Sequence, residues 1–171
     1  MTVRPALVLT GPPAVGKSRA ALSLAGTRTQ CAVIEVDDLR QLVRVGAAAP
    51  WEGAAGARQH RLGVRNACAV ASNFLSEGID ALITDVLTSD TARTYRALLP
   101  GCVVVRLTAT LEETTRRAAS RHERLTVAEF DALHQQDQAQ PAFADLTIDA
   151  THLDPLQQVR AIELAWVDGP G

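Results

Sequence analysis

The chain has 171 residues, of which 47% are hydrophobic and 21% are charged. These values are typical of a single folded domain and exclude wholesale disorder, a collagen repeat and a coiled coil. The net charge of −2 comes from 17 basic and 19 acidic side chains with no long run of either sign, so we expect neither general coating of nucleic acid nor polybasic docking on a membrane.

No apolar run reaches the roughly 18 residues of a membrane span, and the apolar segment near the N-terminus is too short for a secretory signal. Cys31, Cys68 and Cys102 are widely spaced in apolar stretches, which predicts buried, reduced thiols. We therefore expect a cytoplasmic protein with one domain over residues 1–171. Its oligomeric state is open.

Short apolar runs alternate with helical patterns along the chain, as in a buried parallel sheet with crossover helices. The predicted strands are Ala6–Thr10, Ala32–Val36, Ile79–Asp85, Val103–Leu107 and Leu146–Ile148. The predicted helices are Gly16–Ala25, Asp38–Val43, Arg58–Glu77, Asp90–Leu98, Leu111–Arg121, Val127–Gln138 and Pro155–Val167. Residues 46–56 are predicted to be irregular because they are rich in Gly, Ala and Pro.

The segment between the first strand and the first helix matches the motif G-x-x-x-x-G-K-[ST] in the strand-to-helix context that this motif requires. Such a loop wraps its backbone N–H groups around phosphates, its lysine reaches the β- and γ-phosphates, and its serine hydroxyl ligates Mg²⁺. The predicted nucleotide-binding residues are Gly11, Pro12, Pro13, Ala14, Val15, Gly16, Lys17 and Ser18.

Several classes of nucleotide-binding protein do not fit the chain. Lys17 is its one lysine, so a guanine-reading N-K-x-D motif is absent. The signature of transporter ATPases is missing too, and the length leaves little room for the second domain of a ring ATPase. Small-molecule kinases fit the size.

The sequence resembles the compact P-loop kinases and phosphotransferases, especially the chloramphenicol phosphotransferase-like group. The resemblance rests on the phosphate loop, on Val36-Asp37-Asp38-Leu39, on Ile83-Thr84-Asp85-Val86-Leu87, on an arginine-bearing segment and on Asp149-Ala150-Thr151. It implies a three-layer α/β fold whose parallel strands follow the order 2-3-1-4-5, with helices on both faces and a short lid at about residues 116–126. It also implies transfer of the γ-phosphoryl group of ATP, with Mg²⁺, to a hydroxyl of a small molecule.

The same resemblance implies that Asp37 orients the acceptor hydroxyl and takes its proton. An ordinary carboxylate suffices, because the nucleophile in a loose phosphoryl-transfer transition state needs positioning more than deprotonation. Asp38 is interpreted as a cap of the helix that it begins, and both aspartates acting only as caps is the alternative. Arg40 completes a D-D-x-R element and would favour an anionic acceptor if it points inward, whereas a solvated helix arginine is equally compatible.

Asp85 ends an apolar strand, the pattern of the carboxylate that helps to hold Mg²⁺ in this superfamily, so Ser18 and Asp85 are the predicted metal residues. A simple turn-starting aspartate is the alternative. Arg117, Arg121 and Arg124 share one helix face, and the resemblance implies that they belong to the lid and neutralise the transferred phosphoryl group, with Arg117 also near the nucleotide. A surface helix that pairs these arginines with acidic neighbours is the competing interpretation.

The predicted acceptor residues are Asp37, Arg40, Trp51, Arg65 and Asn66. A solvated helix face would explain the arginines, and a loop tryptophan packed on the core would explain Trp51. Thr151 is placed beside adenine by the resemblance, although a strand end followed by a helix cap fits it equally. The four histidines, His60, His122, His134 and His152, have no metal-ligand spacing and are interpreted as surface or capping residues.

The sequence therefore predicts an ATP-dependent phosphotransferase acting on a hydroxyl of a natural product, antibiotic, nucleoside or sugar. A polynucleotide 5′-hydroxyl or nucleotide kinase is the first alternative, motivated by Arg40 and by the arginines at positions 58, 61 and 65. The modest net charge argues against a long nucleic-acid footprint but not against a short strand-end site. A regulator that binds ATP without transferring phosphate is the second alternative.

Overall fold

The computed structural model describes residues 4–119, 126–139 and 143–167. The strands are β1 Leu7–Thr10, β2 Cys31–Glu35, β3 Asp80–Thr84, β4 Val103–Thr108 and β5 Leu146–Asp149. The helices are α1 Lys17–Ala25, α2 Val36–Arg40, α3 Gly53–Ser76, α4 Ser89–Leu98, α5 Leu111–Ala118, α6 Val127–Gln138 and α7 Pro155–Val167.

The five strands form one sheet in the order β2-β3-β1-β4-β5, and every pairing is parallel. The predicted order is therefore confirmed. Parallel strands place their carboxyl ends at one edge, and ligands of open α/β sheets bind in the crevice outside that edge.

Side chains of β1 alternate between two separate cores, one on each face of the sheet. Val8 packs with α3 and α4, while Leu7 and Leu9 pack with α1 and α7. All three are fully buried, and burying each side chain contributes about 1.5–3 kcal/mol. The sheet is thus covered on both faces, as the unbroken apolar strand predicts.

Two element boundaries differ from the prediction in ways that matter for the site. Helix α2 begins at Val36 instead of Asp38, because Val36 turns into the core and is fully buried. Asp38 therefore lies within the first turn and is not the cap, which is Glu35. Helix α3 begins at Gly53, five residues before the predicted Arg58, and its first turn packs on the loop at Ala49.

No helix among the described ranges is long and apolar enough to cross a membrane. The cysteines match their prediction in part: Cys68 and Cys102 are buried and Cys31 is half-buried, and all three are free thiols. Burial raises the pKa of the Cys68 thiol to about 12 and that of Cys31 to about 11.

Candidate active site

The phosphate loop joins β1 to α1 and adopts backbone conformations that fix its sequence. Gly11 has a φ of 135°, and a Cβ there would lie 2.1 Å from the carbonyl oxygen of Leu107 on β4. Gly16 has a φ of 107°. Glycine occupies both left-handed positions at little cost. The loop is therefore held against the sheet with its N–H groups gathered at the start of α1, where the helix dipole favours an anion.

Lys17 folds over the loop that carries it. Its Nζ donates to the carbonyl oxygens of Gly11 at 2.8 Å and Pro12 at 2.9 Å. These contacts hold the ammonium group against the first residues of the phosphate loop. Lys17 also lines a large cavity of about 1110 Å³ at the carboxyl edge of the sheet.

Ser18 faces a carboxylate that the sequence analysis did not assign. Its Oγ donates to Oε2 of Glu35 at 3.1 Å, and both residues line the large cavity. Glu35 is the last residue of β2, at the strand end nearest the phosphate loop. Glu35 could have been identified in the sequence by its position, because it lies two residues before Asp37 at the carboxyl end of a buried strand.

Hydroxyl and carboxylate oxygens are the ligands that Mg²⁺ prefers, and a site that binds MgATP needs only one or two protein ligands beside phosphate and water. Ser18 and Glu35 therefore fit this cation. Among the described residues, no group of three or more His, Cys, Asp or Glu side chains has the arrangement of a metal centre made by protein alone.

Asp37 reaches the cavity and is held there by Arg40. Nη1 of Arg40 lies 3.0 Å from Oδ1 of Asp37, and Nη2 donates to the carbonyl oxygen of Ala48 at 3.3 Å. The Asp37 side chain is 77% exposed, whereas that of Arg40 is 15% exposed. The predicted acceptor-binding Arg40 does line the cavity, but its guanidinium is engaged with Asp37 and with the loop that carries Ala48.

The Arg40 side chain can cross α3 because Gly63 of that helix lies beneath it. A Cβ at Gly63 would lie 2.9 Å from Cγ of Arg40 and 3.1 Å from Cγ1 of Val36. The arginine stem thus crosses α3 at a distance that only glycine allows. The pairing of Asp37 with Arg40 is built into the packing of α2 on α3.

Asp85, a predicted metal residue, lines the large cavity, and its carboxylate is bonded to three protein groups. Its Oδ1 lies 3.2 Å from Nε2 of His60 and accepts the Val86 backbone N–H at 2.8 Å, while Oδ2 accepts the Tyr95 hydroxyl at 3.1 Å. Asp85 is 7% exposed and His60 is 8% exposed. The prediction that His60 is a surface or capping residue is wrong, since the ring is buried beside Asp85.

A loop at residues 46–52 forms one wall of the cavity. Gln59 of α3 accepts the N–H of Ala48 through Oε1 at 2.8 Å and donates from Nε2 to Gly46 at 2.7 Å. At Gly56, a Cβ would lie 1.9 Å from the carbonyl oxygen of Ala49, so the loop rests directly on the helix. Trp51 belongs to this wall and is 47% exposed, and its contact with an acceptor stays a prediction.

Arg65 and Asn66 are not brought to this cavity. Both are exposed on α3 and neither lines the cavity. One helical turn earlier, the same helix presents His60 and Arg61 to the cavity instead. The predicted contact of Arg65 and Asn66 with the acceptor therefore has no support in their placement.

Arg117 lies against the phosphate loop but does not line the large cavity. It donates to Val15 at 3.1 Å, to Ala150 at 2.9 Å and to Glu113 at 2.7 Å. Hydrogen bonds from Arg116 and then from Arg117 lower the pKa of Glu113 to about 2. Arg117 lines a second pocket of about 350 Å³. The predicted lid residues Arg121 and Arg124, like His122, lie outside the described residues.

Thr151 contributes to the shape of the loop after β5. Its hydroxyl donates to Oδ1 of Asp149 at 2.6 Å and accepts the N–H of Thr110 at 3.1 Å. Hydrogen bonds from the Thr151 hydroxyl and then from the Thr151 backbone N–H lower the pKa of Asp149. Leu153 and Asp154 of the same loop line the second pocket, whereas Thr151 does not. Its place beside adenine stays a prediction.

No protein-family model matches the chain, and no curated protein matches it. Solved structures do. A sugar kinase from Janibacter sp. HTCC2649 shares 17% identity with a TM-score of 0.70, over 98% of this chain and 95% of that one. An APS kinase from Mycobacterium tuberculosis, solved with AMPPNP and APS, shares 18% identity with a TM-score of 0.70, over 98% and 100%.

A tunicamycin resistance protein from Deinococcus radiodurans shares 20% identity with a TM-score of 0.63, over 98% of each chain. Identities this low describe the fold alone. The chain therefore has the fold of the P-loop small-molecule kinases over nearly its whole length.

Proposed function

We propose that the protein transfers the γ-phosphoryl group of MgATP to a hydroxyl of a small molecule. The observation that carries this proposal is the convergence, in one cavity, of a phosphate loop, a serine–carboxylate pair and an anchored aspartate. Lys17, Ser18, Glu35 and Asp37 come from the ends of β1 and β2, which the parallel sheet brings to the same edge.

The phosphate loop supplies the binding site for the triphosphate. Its N–H groups and the start of α1 stabilise the phosphate oxygens, and Lys17 contacts the β- and γ-phosphates. Ser18 and Glu35 would hold Mg²⁺, which when bound neutralises charge on the phosphates. The pocket beside Arg117, Leu153 and Asp154 is the proposed site of the adenine, because a guanidinium plane stacks well on an aromatic ring.

Asp37 is the proposed acceptor-side residue. The acceptor hydroxyl oxygen forms a bond to the γ-phosphorus, the bond from that phosphorus to the oxygen bridging the β- and γ-phosphates breaks, and ADP leaves. The hydroxyl proton passes to the Asp37 carboxylate. Arg40 holds that carboxylate in place and thereby acts as a positioning residue.

The engagement of Arg40 weakens the case for a phosphorylated acceptor such as a polynucleotide end. That alternative needs Arg40 to contact an acceptor phosphate, whereas its guanidinium already bonds Asp37 and Ala48. Of the α3 arginines in that argument, Arg58 and Arg65 are exposed and do not line the cavity, whereas Arg61 lines it. We therefore favour a small-molecule acceptor.

The test is transfer from γ-labelled ATP with Mg²⁺, followed by mass spectrometry. Wild type and Asp37→Asn are compared on nucleosides, chloramphenicol and other hydroxylated antibiotics, shikimate, a 5′-hydroxyl oligonucleotide and a small-metabolite extract. Label on one small acceptor, lost in Asp37→Asn, is the expected result. Label on the oligonucleotide would replace the proposal by the polynucleotide kinase. Tight ATP binding without any labelled acceptor would replace it by a nucleotide-binding regulator.

A further inference from the structure

The end of β3 carries a buried hydrogen-bond network that the phosphate-binding part of the site does not use. It consists of Asp85, His60 from α3 and Tyr95 from α4. Tyr95 is fully buried, and the other two residues are less than one-tenth exposed yet line the large cavity. The network therefore connects the cavity wall to the core between α3, α4 and the sheet.

The hydrogen bonds at Asp85 leave little of its carboxylate for a cation. Oδ1 is shared by the Val86 N–H and the His60 ring, and Oδ2 is taken by the Tyr95 hydroxyl. Burial, and after it the charge of Asp85, raises the pKa of Tyr95 well above its ordinary value, so this hydroxyl keeps its proton and donates. Ser18, in contrast, bonds Glu35.

The same hydrogen bonds determine which nitrogen of the His60 ring carries a proton. A carboxylate only accepts hydrogen bonds, so Nε2 of His60 carries the proton that it shares with Asp85. In the neutral ring, Nδ1 is then a hydrogen-bond acceptor. The structure gives Nδ1 no hydrogen-bond partner among the described residues, while the ring borders the cavity that also holds Asp37.

We infer that Asp85 and Tyr95 position His60 so that its Nδ1 accepts a hydrogen bond from a hydroxyl or N–H group of the phosphoryl acceptor, and that Asp85 is not a metal residue. This inference rests on the proposed function. A carboxylate or phosphate on the acceptor has no hydrogen to donate to Nδ1, so the site selects an acceptor that presents a second donor group beside the reacting hydroxyl.

One experiment separates the role of Asp85 from that of a metal ligand and needs no acceptor. The Mg²⁺ dependence of ATP affinity is measured by calorimetry in wild type, Asp85→Asn and Glu35→Gln. Glu35→Gln should raise the Mg²⁺ concentration needed for half-maximal effect by about tenfold, whereas Asp85→Asn should change it by less than about twofold. The reverse pattern would overturn the inference.

A second experiment measures directly which nitrogen of the His60 ring is protonated. In protein labelled with ¹⁵N-histidine, the His60 signals are assigned from their loss in His60→Phe. We expect Nε2–H in the wild type, and a shift of the Nδ1 signal when chloramphenicol, an uncharged diol with an amide N–H, is added with AMP-PNP and Mg²⁺. A ring protonated at Nδ1 alone would contradict the inference, as would an Nδ1 signal that stays unchanged when a compound labelled in the transfer assay is added.

Kinetics with the compound labelled in the transfer assay complete the test. His60→Phe should raise the KM of that compound by about threefold to tenfold, the value of one hydrogen bond, with unchanged affinity for ATP. Tyr95→Phe, which keeps the buried ring, should raise the same KM more modestly. Arg58→Gln, on the exposed face of α3, is the matched control.

An unchanged acceptor KM in both His60→Phe and Tyr95→Phe would refute the role of His60. If no compound is labelled, the proposed function fails, whereas the Mg²⁺ titration and the histidine spectrum still decide the roles of Asp85 and His60.

Discussion

Replacing Gly63 with alanine tests whether the position of Arg40 controls the reaction. The new Cβ would lie 2.9 Å from Cγ of Arg40, where ordinary contacts between carbon atoms begin near 3.5 Å, so the stem must move by about 0.6 Å. Val36 on the other side is fully buried and gives little room. The bond from Arg40 to Ala48, already 3.3 Å long, would then be lost and the contact with Asp37 shifted.

The effect on folding should be small. Alanine gains about 1 kcal/mol over glycine inside a helix, and overpacking costs about 1–3 kcal/mol, so we expect a net loss of about 0–2 kcal/mol. The Asp37–Arg40 pair adds little to this sum, because the Asp37 side chain is 77% exposed and such pairs contribute at most about 1 kcal/mol.

The effect on catalysis should be larger than the effect on stability. A displaced carboxylate no longer orients the acceptor, and we expect kcat to fall by about tenfold or more with unchanged ATP affinity. Urea unfolding, calorimetry and the labelled-ATP assay measure the three quantities. Gly26→Ala is the control, because its Cβ would meet the nearest atom at 3.4 Å in an exposed position. A wild-type kcat in Gly63→Ala would refute the positioning role of Arg40.

Three further predictions concern the acceptor base, the cavity wall and the thiols. Asp37→Asn should retain ATP binding by calorimetry and lose transfer by about 10²–10⁴-fold, and a parallel loss of binding would mean that Asp37 is structural. Gly56→Ala should lower the free energy of unfolding by about 1–3 kcal/mol, because its Cβ would lie 1.9 Å from the Ala49 carbonyl oxygen; an unchanged urea midpoint would contradict this packing. Cys68 has a pKa of about 12 against 9.0 for the unfolded thiol, so the unfolded chain loses this proton first and the stability contributed by the group declines between about pH 9 and pH 12. A Cys68→Ala variant should show a shallower decline in unfolding free energy over that pH range, and an identical slope would refute the assignment.

The fold could be predicted from the sequence because its signals are local and mutually consistent. Each apolar run is short enough to be a strand and is followed by a helical pattern, and the phosphate-loop motif locates the first strand and helix. The boundaries of α6 and α7 agree with the prediction, whereas α3 begins earlier. The first turn of α3 depends on packing between Gly56 and the loop at Ala49. A tertiary contact of this kind leaves no periodic pattern in the sequence.

The residues of α3 that line the cavity were harder to predict, because helical spacing does not say which face of the helix turns inward. Arginines at positions 58, 61 and 65 have the same pattern whichever face is buried. In the structure, Gly63 and Val64 are the buried side of that turn, Arg61 reaches the cavity and Arg65 faces outward. Gly63 is buried beneath Arg40, and this contact decides which face of α3 turns inward. The contact joins α2 to α3, so the sequence of α3 alone does not reveal it.

Glu35 and Asp85 show the limit of predicting a metal residue from its position at a strand end. Glu35 and Asp85 follow neighbouring parallel strands, and sequence alone places both carboxylates at the same edge. The two carboxylates differ in hydrogen-bond donors that the sequence does not place beside them. Asp85 is bonded to His60, which lies 25 residues away in the chain, and to Tyr95 of the following helix. A carboxylate that already accepts three protein hydrogen bonds gains little from a cation, because those donors would have to be displaced and left buried without partners. Under the proposed function, Glu35 would exchange only the hydrogen bond from the Ser18 hydroxyl for a shared cation.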